Sequence, residues 1–167
     1  MSTDWVVMLG NLSGSFVAVQ TLLAGFAYLL GLLLVIIALT KFQSLGDSHG
    51  SQEKMSVPMA YLLGGVALIF LPSTISVLSN TAFGVGNVLQ YIPYDPHSIY
   101  NSVGILVQTA GLIWFIRGCI LLIHGSEPGA QEGPKGLAFL AAGILAMNFN
   151  WTMGLINSII TYLMQLL

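Results

Sequence analysis

Arg117 is the residue of this 167-residue chain with the most chemistry to explain. It sits in the apolar run Gly111-Leu-Ile-Trp-Phe-Ile-Arg117-Gly118, where a charge is costly and marks a contact, a lipid or a transport step. His124 follows seven positions later and Glu127 three after that, so an imidazole and a carboxylate lie near the end of the same run. Asn148 and Asn150 bring two amides into another apolar stretch, where an interhelical hydrogen bond contributes about 1 kcal/mol or less. These residue types suit snorkelling to a lipid phosphate or contact with a neighbouring subunit. They do not assemble a reaction centre. His49, His97 and His124 are too dispersed for a metal site, and Ser and Thr are plentiful but lack a plausible base. No phosphate-binding Gly loop carries its Lys. Cys119, the single cysteine, lies in an apolar run and reads as a small buried hydrophobe. The expectation is a protein that is not an enzyme, with no metal and no cofactor, a bound phospholipid being the one small molecule to consider.

The elements that position these residues follow from composition. Hydrophobic residues make up 56% of the chain and charged ones 6%, against about 25% charged in a soluble domain, so the chain belongs in a bilayer. Its net charge of -2 gives no basic patch, and no direct nucleic-acid binding is expected. Four segments have the roughly 20 apolar residues a spanning helix needs, at 21–41, 57–79, 102–124 and 137–157. The fold class expected is an all-α integral membrane protein of four transmembrane helices, forming one membrane domain. None of these spans contains Asp or Glu, so the carboxylate usual in a proton-coupled transporter is missing.

The cations orient the spans. Lys41, Lys54, Arg117 and Lys135 lie in or beside the two hairpin loops, 42–56 and 125–136, while both termini and the middle connection have none. By the positive-inside rule those loops are cytoplasmic and both termini periplasmic, in a bacterial inner membrane. The middle connection, with Tyr91, Tyr94, Tyr100, Pro93 and Pro96, is then periplasmic; its tyrosines, with Trp5 and Trp151, read as interfacial anchors or as an aromatic ligand cluster. The start, Met-Ser-Thr-Asp-Trp, has no basic n-region, and the apolar stretch from Trp5 to Phe42 has no clear cleavage motif, which argues against a removable signal peptide. That stretch is too long for one upright span. Residues 1–20 are expected as an interfacial helix ending near Ser15, and the segment after Trp151 as another along the outer interface.

The two halves resemble copies of one hairpin. Val19-Gln20-Thr21 with Ala24-Gly25-Phe26 is similar to Val107-Gln108-Thr109 with Ala110-Gly111-Leu112, and Met59-Ala60-Tyr61-Leu62-Leu63-Gly64-Gly65-Val66 to Leu137-Ala138-Phe139-Leu140-Ala141-Ala142-Gly143-Ile144. Repeat 1 would cover about 16–90 and repeat 2 about 102–167, as parallel tandem repeats. Small residues recur at heptad spacing, Ala24, Gly31 and Ala38 in the first span and Gly104, Gly111, Gly118 and Gly125 in the third. Such a seam admits a close helix, either in the same chain or in a neighbour.

With hairpins in this order and the run from Gly111 through Arg117-Gly118 to His124-Gly125-Ser126-Glu127, the chain resembles small polytopic proteins of type IVB secretion and I-type conjugation systems, the IcmC/DotE, DotV and TraQ-like proteins. The resemblance implies an inner-membrane structural component of a machine that exports protein or DNA, whose partners are other machine subunits or further copies of itself, together with membrane lipid. It supplies no catalytic residues; Arg117, Gly118, His124, Gly125 and Glu127 are the matched positions. Two other readings stay open. Each half also looks like a conjugative pilin of the VirB2-like kind, and a small channel or transporter would place polar side chains facing one another at mid-membrane.

Overall fold

The computed structural model describes residues 2–47, 54–83 and 98–166; His49, His97, Tyr91, Tyr94, Pro93 and Pro96 lie outside the described residues. Every described element is a helix: α1 Ser2–Asp47, α2 Ser56–Ile69, α3 Leu71–Phe83, α4 Ile99–His124, α5 Gly133–Met147 and α6 Phe149–Leu166. α1 and α4 are each long and apolar enough to cross a membrane. α2 with α3, and α5 with α6, reach that length only as bent pairs, so the candidate spans among the described residues number two to four. All described elements are helical, and the apolar helices suggest a membrane-embedded protein.

Two expected spans are not straight. The segment 57–79 turns by 101° at Phe70 and the segment 137–157 by 94° at Asn148. The break residues have nearly the same backbone, φ -98° and ψ 38° at Phe70 and φ -93° and ψ 46° at Asn148. Each N–H closes the helix behind it, on Val66 or Ile144, and each carbonyl starts the helix ahead by accepting from Thr74 or Thr152. In the first case Pro72 has no N–H to continue the α2 ladder. In the second the Thr152 hydroxyl donates at 2.7 Å to the Leu145 carbonyl, which a continuous helix would pair with the Phe149 N–H.

The separate N-terminal helix ending near Ser15 is also absent. α1 runs unbroken from Ser2 to Asp47, 46 residues or about 69 Å at 1.5 Å per residue. Its polar residues are absorbed without a break. Ser13, Ser15 and Thr21 donate to backbone carbonyls of the preceding turn, and Ser13 is completely buried against α4. The reading that α1 must end where Ser and Gly cluster overlooked this internal bonding.

α1 and α4 lie side by side and parallel, since Ser13 meets Ser102, Gln20 meets Thr109, and Ala38 clusters with Ile123. α2 returns antiparallel along α1, and α5 along α4. The core forms where these helices meet: Ala27, Leu68, Ile75, Leu112, Phe115 and Ile144 close it, with a smaller cluster of Ala38, Val57, Tyr61 and Ile123 at the loop end. The loop from Gly125 turns through Gly129, at φ 86°, and Pro134 fits the first turn of α5.

Candidate functional site

The seam glycines are used inside the chain. A methyl group at Gly31 would sit 2.7 Å from the Gly65 carbonyl oxygen, and one at Gly65 would sit 2.9 Å from that of Gly31. Gly111 and Gly143 make the same reciprocal crossing, at 3.0 and 2.9 Å. Gly118 then faces Gly136, and Gly125 faces Gly133. Two backbones approach this closely only where neither helix carries a Cβ at the crossing. The α4 heptad is therefore covered by α5 at Gly111, Gly118 and Gly125, which resolves the choice between an intrachain and an intersubunit seam for those positions. Gly104 is buried too, and Ala38 is fully covered by the loop-end cluster. Ala24 is only partly covered; the fully buried alanine of that turn is Ala27. Gly65, Gly133, Gly136 and Gly143 are the partners that sequence reasoning missed, although Gly65 and Gly143 occupy matching places in the repeated motif.

Arg117 is exposed, with its guanidinium 5.0 Å from the centroid of the Phe139 ring on α5. That is cation–π geometry on the outside of the hairpin. His124 is exposed at the last turn of α4, and its heptad spacing from Arg117 puts both on one side of that helix. Glu127 belongs elsewhere: its Oε1 accepts a hydrogen bond from the Tyr61 hydroxyl at 2.6 Å, and the Lys41 ammonium lies 5.3 Å from the Tyr61 ring centroid. The turn between α4 and α5 is thus fastened to α2 and α1. The expected lipid or subunit contact at Glu127 has an intrachain partner, and Tyr61 was not anticipated.

The two asparagines separate. Asn148 is buried and its amide donates to the Ser79 hydroxyl as well as to the Ile144 carbonyl, tying α3 of one half to the break of the other. Asn150 is exposed in the first turn of α6. Other polar groups pair between helices. Gln20 Nε2 donates to Thr109 Oγ1 at 2.9 Å, and Gln108 Nε2 donates at 3.2 Å to the Met147 carbonyl at the end of α5. Gln20 and Gln108, placed at one repeat position by the sequence, thus do different work: one joins the halves, the other ends a helix.

No residue of α6 is buried, unlike the helices that meet in the core. Asn150, Gly154, Asn157, Ser158, Thr161 and Gln165 follow i, i+4, i+7, i+8, i+11 and i+15 spacing, so they form one polar stripe along it. Broad apolar surface, including Ile156, Ile159 and Leu163, occupies the rest. Among the described residues no group of His, Cys, Asp and Glu is arranged to hold a metal. A scan against protein-family models and searches of curated proteins and solved structures return no match to this chain.

Proposed function

We propose that this chain is a structural subunit of a larger membrane assembly, acting by binding and not by turnover. In this reading the assembly is a type IVB secretion or conjugation machine of a bacterial inner membrane, a reading that rests on the resemblance of the run from Gly111 through Arg117-Gly118 to Glu127. The observation that carries the assembly reading is α6: an 18-residue helix, turned away from α5 by 94°, with no residue buried by its own chain. A protein helix draws most of its stability from packing one face against a surface. The outer interface and a neighbouring subunit together supply one, with the polar stripe left for water or for partner hydrogen bonds.

The matching breaks at Phe70 and Asn148, and the matching crossings at Gly65 and Gly143, support a duplicated hairpin as the origin of the frame. One offset along the sequence relates both pairs. In that frame Arg117 and His124 are exposed polar groups near the loop end of the second half, set to meet lipid headgroups or a partner near the cytoplasmic side.

Extraction in a mild detergent, followed by mass measurement and identification of co-purifying proteins, tests this. The expected particle is several times heavier than the 17.8 kDa chain and contains other membrane subunits. A lone monomer overturns the proposal. A helical filament of this chain alone would replace it with the pilin reading, and ion-coupled flux in liposomes with the transporter reading.

A further inference from the structure

Each hairpin carries a cation beside an aromatic ring, and only one of the two rings holds a carboxylate. Tyr61 and Phe139 occupy matching places in the repeated motif, at the offset that also relates Gly65 to Gly143. In the first hairpin the Lys41 ammonium lies 5.3 Å from the Tyr61 ring centroid, and the Tyr61 hydroxyl donates to Glu127 at 2.6 Å. In the second the Arg117 guanidinium lies 5.0 Å from the Phe139 centroid, and phenylalanine has no hydroxyl with which to hold an acid. Lys135 adds another cation there, one turn before Phe139 on the same face of α5. Among the described residues no carboxylate pairs with Arg117 or Lys135. Glu132, the acid nearest to Lys135 in sequence, is the exposed N-cap of α5.

The surface next to these cations selects what neutralises them. On the side of Arg117 away from the loop, Trp114 and Ile113 stand three and four residues back on the same face of α4, 45% and 47% exposed. Positive charge at the loop end therefore gives way directly to bare apolar surface. A soluble anion matches the first part alone. An anionic phospholipid matches both, with its phosphate at the cations and an acyl chain along Trp114 and Ile113. Arg117 is seven residues, about 10 Å, from the end of α4, which suits a long side chain reaching up to a headgroup. We propose that Arg117 and Lys135, with Phe139 between them, bind the phosphate of one anionic phospholipid, which supplies the negative charge that Glu127 brings to Tyr61 in the other half. This site rests on the membrane reading of Arg117 and not on assembly through α6.

The full chain in detergent, stripped of lipid, is offered dioleoyl-phosphatidylglycerol or dioleoyl-phosphatidylcholine, and retained lipid is counted by native mass spectrometry. One phosphatidylglycerol per chain is expected to be held in preference to phosphatidylcholine. Both cations are exposed, so Arg117→Gln and Lys135→Gln should stay monodisperse while each weakens that lipid by about fivefold, the usual worth of one basic residue at an anionic surface. Lys54→Gln removes an equal charge outside the patch and should leave the preference intact. In native membranes, a benzophenone amino acid at Ile113 should give lipid adducts. Equal retention of the two lipids, or an equal loss in Lys54→Gln, overturns the site. So does a polypeptide adduct from Ile113, which would give the cations to the acids of a partner subunit. A lone monomer that keeps one phosphatidylglycerol overturns the assembly alone, and a heavy particle indifferent to lipid charge overturns this site alone.

Discussion

Replacing Gly143 with alanine is expected to destabilise the protein by about 1–3 kcal/mol, the usual cost of forcing a methylene into a filled space. The new Cβ would lie 2.8 Å from the backbone nitrogen of Phe115 and 2.9 Å from the Gly111 carbonyl oxygen, so α4 and α5 must separate to admit it. Backbone, unlike a side-chain end, has nowhere local to go. Gly65→Ala should behave alike, because its Cβ would meet Val35 and the Gly31 carbonyl oxygen in the first hairpin. Gly25→Ala is the internal control. Nothing lies within 4 Å of a Cβ there, and alanine exceeds glycine in helix propensity by up to about 1 kcal/mol, so the expected change is zero or slightly stabilising. Thermal unfolding in detergent, read as loss of the monodisperse peak, measures the contrast. Equal effects at Gly143 and Gly25 would remove the basis for the intrachain crossing.

The second large effect is expected at Asn148. Asn148→Leu deletes the amide that donates to Ser79 and to the Ile144 carbonyl, leaving a completely buried hydroxyl without that partner. The expected loss is about 1–2 kcal/mol, at the upper end for a polar contact between helices in a membrane. A cycle of Asn148→Ala and Ser79→Ala should show positive coupling. Leucine also removes the amide that ties the break to Ser79 on α3 and is the better helix former, which favours continuing α5 into α6. Spin labels at the exposed positions Leu137 and Leu163 should therefore move apart as the 94° bend opens. An unchanged distance would assign the bend to the backbone around it and not to the amide.

What the sequence could and could not reveal divides along physical lines. Helix content, the extent of α4 and the importance of the glycine heptad were legible because apolar run length and small-residue spacing act locally. Span 102–124 matches Ile99–His124 closely. The bends were not legible, because a window of hydropathy counts Phe70 as part of an apolar run and Asn148 as a single polar dip, whereas the turn there depends on which carbonyls find a donor. α1 was misjudged for the converse reason. Ser13 and Ser15 look like the end of a helix until their hydroxyls are seen bonded to Gly10 and Asn11 carbonyls. At the candidate site, Arg117 and His124 were found by charge and spacing and are exposed. Glu127 was found by the same signal, but its partner Tyr61 is 66 positions away, a pairing that only the packing of one hairpin on the other creates.

The repeat shows the same limit. Motif similarity aligns Gln20 with Gln108, yet the crossings pair Gly31 with Gly65 and Gly111 with Gly143, which sets a different register for the first helices. Apolar helices match by composition at several offsets. Only close contact between backbones distinguishes one offset from another.

The central claim is that the glycine seams are spent inside the chain and that α6 is the surface left for other subunits. Photocrosslinking in native membranes tests it most directly, with a benzophenone amino acid placed at Ile160 on α6 and, for comparison, at Ala27 in the core. The account predicts adducts to other membrane proteins or to a second copy from Ile160, and from Ala27 none outside its own chain. Adducts to neighbouring subunits from Ala27, with only lipid adducts from Ile160, would contradict it.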